Sequence, residues 1–172
     1  DLWTPAGVIE EWPMTDAETT DTPRGMFFDD FELGQELVTS ARTVTSTDIE
    51  NFANLTGDFN AVHIDNEFVR DTPFGEVIAH GPMIYGIAAG LIYASGMNHG
   101  TLLALLQVDK WRVLVPTKHG DTVRLAQKVI EKRATSKPDR GIIKFERRVL
   151  NQRDQVVMEL EATMMYLSLI HI

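Results

Sequence analysis

Sixteen residues from Pro82 to Met97, PMIYGIAAGLIYASGM, carry no charge at all. Such a run has to leave water, and it can go either into a bilayer or into the middle of a fold. A helix that spans a bilayer needs about 20 apolar residues. This run falls short of that and is interrupted by Gly86, Gly90 and Gly96. It therefore predicts one buried central helix and no membrane span. Pro82 suits the first helical position, where a missing N–H costs nothing. Gly86, Ala89 and Gly90 predict a small-residue face on which a sheet can come close to the helix backbone.

The flanking sequence supplies that sheet. Residues 102 to 115 are rich in Leu and Val. Val123, Leu125 and Val129 alternate within 121 to 135, and Ile143, Phe145 and Val149 within 141 to 150. Val157 and Leu160 open a stretch that ends in MMYLSL. Period-two apolar positions are the mark of half-buried strands. The polar breaks at Lys118-His119-Gly120-Asp121, Lys137-Pro138-Asp139-Arg140 and Asn151-Gln152-Arg153-Asp154 suit antiparallel connections. Upstream, residues 36 to 45 read as one more strand. A helix follows, with Thr47 and Glu50 at capping-box spacing, an apolar stripe of Ile49, Phe52 and Ala53, and Gly57 at its end. A short helix is expected near Glu67 to Asp71. The order predicts an α+β fold, an antiparallel sheet wrapped around one apolar helix.

Charge is unevenly spread. Residues 1 to 36 hold ten acidic side chains and one basic, Arg24, and account for the whole net charge of −9. Residues 1 to 25 contain Pro5, Pro13 and Pro23 and no sustained period, so they are expected to form an acidic arm ahead of a single domain over 26–172. Residues 110 to 148 hold twelve Lys or Arg against four Asp or Glu. That excess suits strand positions facing solvent, the favoured reading, or contact with phosphates. It lacks the interleaved aromatics of a single-strand nucleic-acid binder. The chain has no cysteine, which excludes disulfides, thiolate nucleophiles and cysteine metal sites, and fits a cytoplasmic location. The opening Asp1-Leu2-Trp3-Thr4 has no basic segment leading into an apolar one, so no secretory signal is expected.

Chemistry concentrates between Leu55 and Gly86. Asp58 and His63 follow Gly57, where a loop can aim both into one cleft. A carboxylate beside an imidazole can hold one water, taking a proton at one point and delivering one at another. Asn60 lies between them and can orient either through its amide. At Ala79-His80-Gly81-Pro82 the buried helix should begin. The first amides of a helix lack internal partners and carry partial positive charge. Gly81 can bring its N–H close to a substrate oxygen that gains charge in a reaction, and Met83 can offer another. His80 and Met83 are expected to line the substrate. Asp58 capping a turn and His63 as a core residue are the structural alternatives. His80, His99 and His119 show no metal-ligand spacing. No G-x-S-x-G elbow occurs, and the glycines of the apolar run form no nucleotide fingerprint.

The segment resembles the MaoC-like dehydratases, the (R)-specific enoyl-CoA hydratase family, whose signature is Gly-Asp-x-Asn-Pro-x-His followed some seventeen residues later by His-Gly. Here the residues are Gly57-Asp58-Phe59-Asn60-Ala61-Val62-His63, then Phe74-Gly75 and Ile78-Ala79-His80-Gly81. Phe31-Glu32-Leu33-Gly34-Gln35 and the helix of Thr47 to Leu55 also fit, so the similarity covers about residues 27 to 167. Ala61 stands where Pro is usual, which removes no reacting group.

The resemblance implies a hot-dog fold, a homodimer, and an acyl-CoA or related pantetheine thioester bound at the dimer interface. It implies Asp58 and His63 as the catalytic pair, Asn60 in support, and the Gly81 amide facing the thioester oxygen. No metal or organic cofactor is expected beyond the CoA of the substrate. The expected reaction is hydration or dehydration. The alternatives are a hot-dog acyl-CoA thioesterase and a non-catalytic acyl-thioester-binding subunit. Acyl length, branching and extra carboxylates depend on scattered wall residues and are not legible.

Overall fold

A computed structural model of the protein describes residues 24–169. The expected arm of residues 1 to 25 lies outside them apart from Arg24 and Gly25. The sheet has strands β1 (Glu36–Val38), β2 (Arg42–Thr43), β3 (Leu102–Val113), β4 (Thr122–Ala134), β5 (Arg140–Leu150) and β6 (Val156–Leu167). Its order is β1-β4-β5-β6-β3, with β2 also on β4, and every pairing is antiparallel. Helices α1 (Ser46–Thr56), α2 (Ala61–Ile64), α3 (Asn66–Arg70) and α4 (Gly81–Ala94) fill the chain between β2 and β3. The sheet curls around α4, which is the hot-dog arrangement.

The alternating residues are those that hold the layers together. Val123, Leu125 and Val129 of β4, Ile143, Phe145 and Val149 of β5, and Val157 and Leu160 of β6 are all buried. They meet Met83, Ile84, Ile87, Ala88, Leu91 and Ile92 of α4 in one core. Each large side chain so buried contributes about 1.5–3 kcal/mol. The small-residue face behaves otherwise than expected. Gly86, Ala89 and Gly90 are exposed, and no atom lies within 4 Å of a Cβ built at Gly86 or Gly90. The branched face has more apolar area to hide, so it takes the sheet. No helix among the described residues is long and apolar enough to cross a membrane.

Two local readings change. The expected strand over 36–45 divides into β1 and β2. Between them the Thr39 hydroxyl accepts the Leu125 N–H at 3.0 Å, replacing a rung of the ladder. The capping box sits two residues earlier than Thr47 and Glu50. The Thr45 hydroxyl accepts the Asp48 N–H at 3.1 Å, and the Asp48 carboxylate accepts the Thr45 N–H at 2.9 Å. Asp48 takes the place that Glu usually holds in such a box, and it also pairs with Arg42 at 2.5 Å. Helix α4 starts at Gly81, which makes Pro82 its second residue.

Both ends of the described chain meet beside the sheet. The Asp29 carboxylate accepts from the Ser168 hydroxyl and the Leu169 N–H, each at 2.7 Å. Phe31 packs edge-on to Phe145 at 5.6 Å and beside Tyr166 at 4.8 Å. Of the twelve basic residues between 110 and 148, Lys110, Arg112, Lys118, Arg124, Lys128, Arg133, Arg140, Lys144 and Arg148 pair with carboxylates. The basic excess is thus largely neutralised on the outer face, as the solvent-facing reading expects.

Candidate active site

Three elements converge on the N-terminal end of α4. Helix α1 stops at Gly57, whose φ of 78° is the left-handed conformation that glycine adopts without strain. The chain then reverses and Asp58 follows in the turn. Asn60 is the residue before α2, yet its side chain does not cap that helix. Its amide Nδ2 donates instead to Asp58 Oδ1 at 2.5 Å. This amide is the main cause holding the Asp58 carboxyl below its ordinary value of 3.8. Asp58 is therefore an ionised acceptor, tethered by Asn60. Ala61, the departure from the family signature, is the first residue of α2. Pro is favoured there for its fixed φ, and Ala is the best helix former, so the turn forms with either.

His63 lies on α2. Its Nδ1 is 2.7 Å from the Ile78 carbonyl oxygen. A carbonyl only accepts, so Nδ1 carries the proton and the lone pair sits on Nε2. Ile78 is itself held by its N–H to the Val62 carbonyl at 3.1 Å and by a bridge to Lys118. One carboxylate oxygen of Asp58 and one ring nitrogen each of His63 and His80 all fall within 4.8 Å of one another. Asp58 and His63 are thus brought together as the spacing suggested.

Gly81 opens α4 and shares with His63 a cavity of about 360 Å³. The other walls include Ile84, Val113, Leu114, Val157 and Met158, so the space beyond the polar end is apolar. The N–H groups of this first turn have no intrahelical partner. A Cβ at Gly81 would stand 3.3 Å from Val113 Cγ2, so the space beside this amide is tight.

The expected substrate contacts at His80 and Met83 are not found on that wall. His80 is 1% exposed and Met83 is 5% exposed, with Met83 in the core. The register of the helix turns both inward. His80 lies behind His63, the two rings stacked with centroids 3.8 Å apart, and Phe52 lies 4.9 Å from its ring centroid. His80 Nε2 donates to the Asp58 carbonyl at 3.0 Å, while Nδ1 is buried with no partner. A buried acceptor left unpaired costs about 1–3 kcal/mol. The segment Val113 to Thr117 also lines the cavity; in the sequence Val113 to Val115 reads as strand and the segment has no legible role at the site, because nothing there but an apolar run and Pro116 marks it.

Known proteins are similar to this chain in sequence and in fold. The chain is 34% identical to protein MaoC of Klebsiella aerogenes over 119 residues, 69% of this chain but only 34% of that protein's length. It is 28% identical to the (R)-specific enoyl-CoA hydratase of Rhodospirillum rubrum, covering 81% of this chain and 90% of that one. The crystal structure of the MaoC-like dehydratase from Rhodospirillum rubrum superposes with a TM-score of 0.75 at 26% identity, over 83% of this chain and 97% of that one. The family model described as MaoC like domain matches residues 30–149. That match takes in the Asp58–His63 pair, the Gly81 amide and all of α4, and the chain belongs to the MaoC-like family.

Proposed function

We propose that this protein is a hydratase/dehydratase that interconverts a trans-2-enoyl thioester of the CoA type and its 3-hydroxyacyl thioester. The observation that carries the reading is the Asp58–His63 pair, within 4.8 Å, next to a cavity that also holds the Gly81 amide. In hydration, a water held by the pair bonds through its oxygen to the β-carbon. Its proton passes to the pair as it does so. The electron pair of the double bond moves toward the thioester oxygen, which the Gly81 N–H stabilises. The pair returns a proton to the α-carbon on the same face. The unprotonated Nε2 of His63 and the ionised Asp58 are both ready acceptors. Asn60 keeps Asp58 ionised and oriented. The apolar walls suit an acyl chain, and the name of the Rhodospirillum rubrum relative describes the same reaction.

The working form is read as a homodimer. Leu103, Leu105, Leu106, Trp111, Val113 and Leu114, on and just beyond the edge strand β3, are each 39–56% exposed. An apolar sheet edge of that length calls for a cover.

Incubation with a trans-2-enoyl-CoA tests the reaction. Loss of the conjugated absorbance with formation of 3-hydroxyacyl-CoA, and no free thiol, is the expected result. Rapid thiol release would overturn it in favour of a thioesterase.

A further inference from the structure

His80 is buried, does not line the cavity that His63 and Gly81 share, and keeps a ring nitrogen without a partner. Packing alone does not explain it. A phenylalanine would fill the gap between Phe52 and His63 without burying an unpaired acceptor. A glutamine would donate to a carbonyl without offering a flat face. The imidazole does both: its Nε2–H reaches the Asp58 carbonyl at 3.0 Å while its ring lies against His63 at 3.8 Å and an interplanar angle of 27°.

Each contact removes a different freedom. The His63 ring is tied in its own plane by Nδ1–H to the Ile78 carbonyl, which still leaves it free to tilt about that bond. The stacked His80 face blocks the tilt. Asp58 is tied at its carboxylate by Asn60 and at its N–H by the Thr56 hydroxyl at 3.3 Å, which leaves its carbonyl end free to shift. The His80 Nε2–H blocks that shift. One side chain from the start of α4 thus fixes two residues, Asp58 in the turn after α1 and His63 on α2.

We infer that His80 is a positioning residue: it sets the distance and angle between Asp58 and His63 from behind, without meeting substrate. This rests on the hydratase reading for its kinetic readout, and has a second readout that does not. In the unmodified protein, long-range ¹⁵N–¹H spectra of the imidazoles should show His80 as the Nε2–H tautomer and His63 as the Nδ1–H tautomer. His80 found as Nδ1–H would overturn the inference whether or not the protein hydrates any thioester.

The kinetic arm uses two variants. His80→Phe keeps the face and loses the donor; His80→Gln keeps a donor and loses the face. Misplacement on the scale of 1 Å costs about 10²-fold in rate. Each variant, shown folded by its melting curve, should lose about ten- to a hundredfold in kcat with KM changed less than about twofold. A loss confined to KM would make His80 a substrate contact, and unchanged kcat in both folded variants would make it a core residue; either overturns the inference. If neither variant folds, the tautomers of the parent still decide it. A parent that turns over no enoyl thioester, with the expected tautomers, would sink the hydratase reading and leave the positioning intact.

Discussion

Strands β4, β5 and β6 bond their main chains to one another in regular register, with one shift on each seam, at Val129/Glu131 and at Val149/Leu150. Between Gly57 and Gly81 no comparable ladder exists. There the carbonyls of Asp58 and Ile78 are met by imidazoles, and an amide side chain that could cap a helix binds a carboxylate instead. In the sheet most charged side chains point out and pair with one another, while Arg147 and Gln127 are buried and bond to each other and to the sulfurs of Met164 and Met97. In the loops the side chains of Asp58, Asn60, His63 and His80 hold one another and the main chain. The contrast teaches that one region supplies free energy and the other spends part of it on geometry, including an imidazole nitrogen buried without a partner.

The sharpest way to break this division is to alter the pair. Asp58→Asn and His63→Ala should each lower kcat by about two to four orders of magnitude, with melting temperatures near that of the parent. The double variant should be little worse than either, because groups acting as a unit are not additive. A folded Asp58→Asn enzyme at near-normal turnover would reduce Asp58 to a turn residue. In the sheet the opposite pattern is expected. Phe145→Ala should cost about 3–5 kcal/mol in urea unfolding, while the rate per folded molecule holds. If the rate fell as far as the stability, the two regions would not be separable.

A smaller effect sharpens the loop side. Because Asn60 is the main cause of the depressed Asp58 pKa, Asn60→Ala should move the Asp58 carboxyl titration up toward 3.8, read by ¹³C resonance. The sign follows from linkage. A group whose folded pKa is depressed favours folding above its unfolded pKa and loses that contribution as pH falls through the folded value. The acid limb of activity due to Asp58 should therefore lie below 3.8 in the parent and rise in the variant. No upward movement would mean that Asn60 does not tune the carboxylate. The smallest effect belongs to the outer face. Removing the Arg112–Glu159 pair with Arg112→Gln should change stability by about 0–1 kcal/mol, since both side chains are solvated. A larger loss would show that the charged face carries part of the fold's stability.

Strands β4, β5 and β6 were legible because one face of each is buried, and burial on one face forces alternation; Leu125 and Phe145 announce their own orientation. The helix face was not. Periodicity says that Gly86 and Gly90 share a side of α4, and it is silent on which side meets the sheet. Thr39 hid the break between β1 and β2, because a hydroxyl replacing a ladder rung has no pattern in sequence. The pair of Asp58 and His63 was legible as a motif, and Asn60 as its companion. His80 was visible as a residue yet not as a neighbour. Its contacts lie 17 to 28 residues away at His63, Asp58 and Phe52, and only the fold brings them together.

The clasp of Asp29 on Ser168 and Leu169 bears on how the chain is made. Translation delivers Asp29 long before its partners, which lie 139 and 140 residues downstream. The apolar helix emerges before any of β3, β4, β5 or β6, the strands that will cover it. Contacts so distant in sequence close slowly, because chain entropy is lost before they reward it. The nascent protein must therefore carry an uncovered Ile84, Ile87, Leu91 and Ile92 until its last strand has been released from the ribosome. Once shut, the same clasp leaves the two ends of the described chain side by side, so joining them through a short linker and opening the chain at the turn of Ser136 to Asp139 should give a permuted protein whose helix waits for fewer strands.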